Sequence, residues 1–256
     1  MRIDLLTLFP EMCETVMAES IVGRARRKGA VQVCCHQIRD FAHDKHQRVD
    51  DSPFGGGMGM LLKAEPIALC MDDLTAHLGH KPHTIFLSPE GRTLTQKRVR
   101  ELSQMDGIAL LCGHYEGVDE RVLQAYVDEE ISVGDYVVTG GELPALTVAD
   151  AVCRMIPGVL ADDECFQLES HYNSLLEYPQ YTRPAVWRGC SIPEILLTGD
   201  HEKVRRWHRQ QSLLYTFRKR PELLASANLT QDDRKYLGKL EHEGVSKMKL
   251  SSENNI

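Results

Sequence analysis

Along the first 160 residues, short apolar runs alternate with longer amphipathic stretches. Residues 3–9 (IDLLTLF) and 31–38 read as strands, and between them apolar side chains recur at 12, 16, 17, 21 and 22. That spacing predicts one helix over 11–28, closed by Gly29. Strand, helix, strand is the opening of an α/β domain with parallel pairing. Further helices are predicted over 62–78, 94–102 and 142–155, and further strands over 84–87 and 108–112. Residues 118–133 are apolar and acidic, long enough for one helix, and run into ISVGDYVVTGG, which reads as a strand entering a turn.

Three strands thus run into turns rich in glycine or proline: TIFLSPEG, IALLCGHYEG and ISVGDYVVTGG. Open α/β sheets place ligands at the carboxyl ends of their strands, so the three turns are expected to meet around one pocket built largely from main chain. PFGGGMGM (53–60) cannot pack as a helix and is expected to be a loop that approaches a ligand. From 161 the pattern changes. A polar linker is expected over 161–173, then a mostly helical unit over 174–246 with helices at 193–197, 200–217, 221–227 and 232–240, and a polar tail over 247–256.

Composition narrows the class. With 42% hydrophobic residues in 256, the chain can bury a core. No apolar run reaches the length of a membrane span or a secretory leader, so a cytoplasmic protein without membrane attachment is expected. The eight cysteines form no C-x-x-C pair and have no zinc-ligand spacing, which favours reduced, buried thiols. The net charge of −7 excludes a uniformly basic surface, but 200–220 carries seven Lys/Arg against two acids. Helical spacing puts Arg205 and Arg209 on one face with Arg206 beside them, a phosphate-gripping surface, and turns Val204, Trp207, Gln211 and Leu214 toward a core. His43, Asp44, His46, Asp50 and Asp51 are weak as a metal set. No G-x-x-x-x-G-K-[ST] or G-x-G-x-x-G motif is present, which argues against a phosphate-binding nucleotide enzyme.

PFGGGMGM, SPEGRTLTQ (88–96), CGHYEGVDER (112–121), SVGDYVVTGGELPA (132–145), RMIPGVL (154–160) and LLEYPQYTRP (175–184) occur in one order. Together they resemble the bacterial tRNA (guanine-N1)-methyltransferases, from residue 1 to about 244. The resemblance implies an N-terminal parallel-sheet α/β domain over 1–160 with a deep trefoil knot, of the SPOUT type, and a smaller, mostly α-helical C-terminal domain that binds tRNA. It also implies a homodimer with its active site at the subunit interface. The implied reaction moves a methyl group from S-adenosylmethionine to N1 of guanine 37, just 3′ of the tRNA anticodon.

By the same resemblance, Phe86, Leu87, Ser88 and Pro89 form one wall of the cofactor site and Gly113, Glu116 and Gly117 a second. Val133, Gly134, Asp135, Tyr136, Val137, Val138, Gly140, Gly141 and Pro144 form a third. Glu116 is placed to hold a ribose hydroxyl or orient the methyl donor. Guanine N1 carries a proton, so the reaction needs a base and a stabiliser for charge spreading to O6. Glu169 and Arg154 are implied for these roles. Asp50, Gly55, Gly56, Gly57, Glu177, Tyr181, Arg183, Arg205, Arg206 and Arg209 are the candidate substrate contacts; Tyr181 and Arg183 would stack on or clamp a base, or only pack the linker's end. His114 is expected to shape the cofactor loop. Magnesium is implied too, with no ligand fixed by the sequence.

The chain departs from the family pattern at three places. Glu169 stands where aspartate is usual, Met58 where a small residue or proline is expected, and His171-Tyr172 where a single aromatic is expected. Two alternatives stay open: a knotted methyltransferase acting on another RNA position such as a ribose oxygen, and a catalytically silent RNA-binding protein.

Overall fold

The computed structural model describes residues 1–161 and 165–242. Residues 162–164 of the expected linker, 243–246 of the expected helical unit and the expected tail over 247–256 lie outside the described residues. The chain divides into two compact units, 1–163 and 164–256.

The first unit is built on a five-stranded parallel sheet. In chain order its strands are β1 (Arg2–Thr7), β2 (Gln32–Gln37), β5 (His83–Thr93), β6 (Gly107–Cys112) and β7 (Glu129–Ser132), arranged β2-β1-β6-β5-β7. The central strands β1 and β6 are buried on both faces, which is why they read as unbroken apolar runs. Asp4 is the exception in β1, 1% exposed. Its carboxylate accepts from Arg2 Nε at 2.8 Å and bonds His36 Nε2 at 2.7 Å. Burial alone would raise this carboxyl; the bonds to His36 and Arg2 outweigh it and hold it below its ordinary value.

Side chains alternate across each strand, so the two faces take different helices. Leu6, Phe86, Ala109 and Leu111 pack with Ile67, Met71 and Leu74 of α3 (Ala64–Leu78) and Val122 of α5 (Glu120–Tyr126). Helix α6 (Glu142–Cys153) packs on β1 and β6 together with α1 (Pro10–Met17) and α4 (Gln96–Leu102). The parallel α/β class read from the sequence is the class observed.

Four local expectations are corrected. The single helix over 11–28 is two, α1 and α2 (Ser20–Arg27), because Ser20 takes φ +52° and turns the axis. Of the apolar positions counted for the single helix, Met17 and Val22 are buried, whereas Met12, Val16 and Ile21 are exposed. The segment 118–133 holds α5 and then β7, since Val127 is extended and the Asp128 carboxylate accepts from Thr84 N at 2.8 Å to start the new pairing. The turn expected at 88–92 is a bulge within β5: both Leu87 and Arg92 pair with Ile131, leaving 88–91 looped out. Leu62, expected to begin a helix, instead forms β4 with Leu61 and pairs antiparallel with β3 (Asp50–Asp51).

The second unit holds α7 (His201–Lys219), α8 (Gln231–His242), 3₁₀ turns at Glu194–Leu197 and Pro221–Ala225, and a two-stranded hairpin, β8 (Val186–Trp187) with β9 (Cys190–Ser191). The hairpin was not expected. On α7 the buried side chains are Ser212, Leu213, Thr216 and Phe217, while Val204, Trp207, Gln211 and Leu214 are half-buried at its flanks. Helices α7 and α8 are tied by Asp233, 5% exposed. It accepts from Arg209 Nη2 at 2.8 Å and from Thr230 N at 2.9 Å. Burial pushes the Asp233 carboxyl up, but the Arg209 and Thr230 bonds bring it below its ordinary value.

A depressed carboxylate stabilises the fold above its unfolded pKa near 4, and that contribution disappears as pH falls through the lower folded value. Asp233→Ala should therefore destabilise the protein by about 1–3 kcal/mol at pH 7. In thermal melts followed by circular dichroism, the gap to the wild type should narrow below about pH 4. A gap that persists unchanged at low pH would mean the carboxylate charge is not what matters.

Candidate active site

The carboxyl ends of β5, β6 and β7 open into a cavity of about 150 Å³. Its walls are 86–89, 113–117 and 131–134 with 136–141, together with Pro144 of α6. Backbone bonds hold these walls together. Gly141 N donates to Gly113 O at 2.8 Å, and His114 pairs with Gly140 as an antiparallel bridge. Leu62 N donates to Gly117 O at 2.9 Å and Glu116 N to Met60 O at 3.0 Å, which joins the glycine loop after β3 to the second wall. The contact at Gly141 is a close one against backbone: a Cβ there would lie 2.7 Å from Gly113 N and 2.8 Å from Cys112 Cα.

The cavity brings together Phe86, Leu87, Ser88, Pro89, Gly113, Glu116, Gly117, Val133, Gly134, Tyr136, Val137, Val138, Gly140, Gly141 and Pro144. Asp135 does not line it. His114, expected to shape the cofactor loop, does, and so do Tyr115, Ile131, Ser132 and Thr139, which sequence reasoning left out. They flank the same glycine turns, so position in the motif was the available signal. Among the described residues no lysine or arginine lines the cavity, and Glu116 is its carboxylate. Such a lining suits a cationic or neutral ligand recognised through main-chain groups, and it does not suit a phosphate.

Two polar groups beside Gly140 stand out. Glu142, 4% exposed at the start of α6, accepts from Thr7 Oγ1 at 2.8 Å. His114 Nδ1 is buried without a hydrogen-bond partner among the described residues, 4.0 Å from Glu142 Oε2. A buried polar atom left unpaired in a pocket wall is where a ligand can supply the missing bond. The buried thiols of this unit are passive. Burial pushes Cys153 up to about 12 and Cys112 well above its ordinary value, so both stay protonated. Cys13 and Cys70 are buried too, whereas Cys34 and Cys35 are half-buried and Cys190 is exposed.

The remaining candidates lie elsewhere. Arg154 follows α6, half-buried, with its backbone N donating to Asp150 O. Glu169 belongs to the second unit, half-buried in the turn after the 3₁₀ segment Cys165–Leu168. Asp50 sits in β3, and Gly55, Gly56 and Gly57 form the loop after it, all at positive φ. Glu177 accepts from Gln180 Nε2, and its own N donates to Ser170 Oγ. Tyr181 lies with its ring 6.4 Å from that of Trp207, and Arg183 is exposed. Arg205 and Arg206 are exposed on α7, but Arg209 turns its guanidinium to Asp233 and Asn228 O. The face expected to present three guanidiniums presents two. Asp44 accepts from His46 N, Arg48 N and Arg48 Nε, a turn cap. Among the described residues no group of three His, Cys, Asp or Glu could hold a metal ion, and no helix is long and apolar enough to cross a membrane.

Comparison with known proteins places the chain. Residues 1–226 match the family model described as tRNA (Guanine-1)-methyltransferase TrmD. A tRNA (guanine-N(1)-)-methyltransferase of Ruminiclostridium cellulolyticum is 52% identical over 223 residues, covering 87% of this chain and 96% of that protein. Its namesake in Moorella thermoacetica is 51% identical over 238 residues, 93% of this chain and 95% of the other. One in Geobacter metallireducens is 49% identical over 247 residues, 96% of this chain and all of the other.

Proposed function

Since the chain belongs to the tRNA (guanine-N1)-methyltransferase family and is an enzyme of that kind, we propose that it methylates N1 of guanine 37, 3′ of the tRNA anticodon, using S-adenosylmethionine. The observation that carries the choice of cofactor is the three-walled cavity, which among the described residues has one carboxylate and no basic side chain in its lining. The cavity residues fit that group: His114 Nδ1 is a buried polar atom in need of a partner, and the close contact at Gly141 leaves the wall smooth. When bound, S-adenosylmethionine supplies an electrophilic methyl group and leaves as a neutral thioether.

The chain's own groups do the rest. Phe86, Leu87, Val133, Gly134 and Tyr136–Val138 enclose the adenosine and keep water out. Glu116 orients the donor through its carboxylate. Glu169 takes the N1 proton, which turns a poor nucleophile into a good one, and Arg154 stabilises the negative charge that then spreads to O6. Arg154 belongs to the first unit and Glu169 to the second. We propose that they meet in a homodimer. Phe9, Met12 and Val16, spaced along one side of α1, are exposed with Leu143, and a second copy is the natural cover for such a face. A deep trefoil knot formed by the passage of 134–141 beside β6 belongs to the same proposal, as does a cytoplasmic enzyme with its helical unit devoted to tRNA.

Arg205 and Arg206 would grip tRNA phosphates, with Arg209 setting the helix that carries them. Arg205→Ala with Arg206→Ala should weaken binding to all tRNA sequences alike. It should also reduce the slope of log K against log salt by about 0.7–0.9 per arginine, measured by filter binding. A loss confined to one tRNA sequence would point to base reading instead. The activity itself is tested by incubating the protein with unmodified tRNA and S-adenosylmethionine labelled in its methyl group. Label should enter tRNA bearing guanine 3′ of the anticodon and not tRNA with adenine there. Binding without label would favour a silent RNA-binding protein.

A further inference from the structure

The loop PFGGGMGM holds the two most exposed large apolar side chains among the described residues. Phe54 is fully exposed (101%) and Met58 is 94% exposed. They stand on either side of Gly55, Gly56 and Gly57, at φ +86°, +79° and +137°. The loop has a firm base. Asp50 pairs with Leu62 and Asp51 with Leu61, so its two stems are joined. Beyond them, Met60 O accepts from Glu116 N at 3.0 Å. A Cβ on Gly59 would fall 2.3 Å from Glu116 Cγ, so the loop rests directly on the carboxylate that lines the cavity.

Holding a phenylalanine and a methionine in water forgoes about 1.5–3 kcal/mol each relative to burial. Residues 53–60 contain no charge that would explain the exposure. What covers these side chains must be apolar, must reach the mouth of the cavity, and must fit between two projecting groups a few residues apart. A nucleobase face meets all three conditions.

Resting on the function proposed above, we propose that Phe54, with Met58 beside it, is a wedge that enters the base stack next to the target guanine and holds it open. N1 lies on the Watson–Crick edge, and a guanine stacked in the anticodon loop cannot bring that edge into a cavity at the strand ends. Enzymes that act on a base take it out of the stack at a cost of a few kcal/mol. Apolar side chains inserted between base steps are a known way to meet that cost. The wedge's position beside Glu116 places the extruded base where the methyl donor is oriented. The occupant is therefore a single unstacked step of the tRNA loop, not a protein.

The test uses the full-length protein and a tRNA transcript with 2-aminopurine in place of the nucleotide beside the target guanine. Its fluorescence rises on unstacking, with or without the methyl donor. The wild type and Phe54→Trp should produce the rise. Phe54→Ala should lose most of it and show kcat lowered about 10–100-fold, with S-adenosylmethionine binding unchanged. Met58→Ala should show a smaller effect in the same direction. On a transcript with an abasic site beside the guanine, where no stack remains to be opened, Phe54→Ala and wild-type rates should converge. Unchanged fluorescence and kcat in Phe54→Ala would overturn the wedge while leaving the methyltransferase reading intact. So would a shift in oligomeric state by analytical ultracentrifugation, which would make the loop an interface between copies. A wild type that opens the stack but transfers no methyl would instead overturn the function and keep the wedge.

Discussion

Glu169→Ala should lower kcat by about 10²–10⁴-fold, the range for removing a positioned general base, while tRNA and S-adenosylmethionine bind as before. Glu169→Gln keeps the size and loses the proton acceptor, so it should behave like alanine. Glu169→Asp returns the residue usual in the family and should retain most of the rate, because the acid is the same and only its reach shortens by one methylene. Arg154→Ala should act on the same step, and the double variant should lose less than the product of the two single losses, since both groups serve one transition state. Single-turnover kinetics separate these effects from binding. A Glu169→Ala protein with undiminished kcat would move the base elsewhere, with Glu177 the next carboxylate to change.

The second large effect concerns the frame of the cavity. In Gly141→Ala the new methyl would lie 2.7 Å from Gly113 N and 2.8 Å from Cys112 Cα. Both are backbone atoms at the end of a central strand and cannot swing aside as a side-chain tip could. Relief requires breaking the bond from Gly141 N to Gly113 O, which joins two walls of the cavity. The cost should be about 1–3 kcal/mol of stability, and S-adenosylmethionine affinity should fall at least about tenfold, since a loss of 1.4 kcal/mol is already that much. Calorimetry gives both numbers. Gly238→Ala is the control: no atom lies within 4 Å of its Cβ position on α8, so it should be neutral or slightly stabilising. Equal effects of the two substitutions would show that the close contact at Gly141 is not what shapes the site.

The parallel sheet was legible because central parallel strands are buried on both faces and therefore appear as apolar runs such as IALLC and, but for Asp4, IDLL. The three walls were legible because backbone that bends sharply or approaches another chain closely demands glycine, and the glycines mark the places. Less could be read where the deciding interaction is distant in sequence. Glu142 opens a helix and looks like a solvated first-turn acid, yet Thr7, 135 residues away, takes it into the core. Arg209 shares a helix face with Arg205 by spacing, but Asp233 claims its guanidinium. The kink at Ser20 needs a left-handed backbone at a residue that does not advertise it. The hairpin of β8 and β9 has two residues per strand, too few for any periodicity, and only its Arg188-Gly189 turn, at φ +47° and +81°, carried a signal. A knot has no periodicity at all, so local pattern is silent on it.

The most direct measurement is the chemical identity of the product. Unmodified tRNA with guanine 3′ of the anticodon, incubated with the protein and S-adenosylmethionine, is digested to nucleosides and resolved by mass spectrometry against methylguanosine standards. The expected product is 1-methylguanosine, formed at that one position and absent when Glu169→Ala replaces the wild type. Methyl groups recovered on a ribose oxygen, or on N2 or N7 of guanine, would contradict a base and a guanidinium arranged around N1.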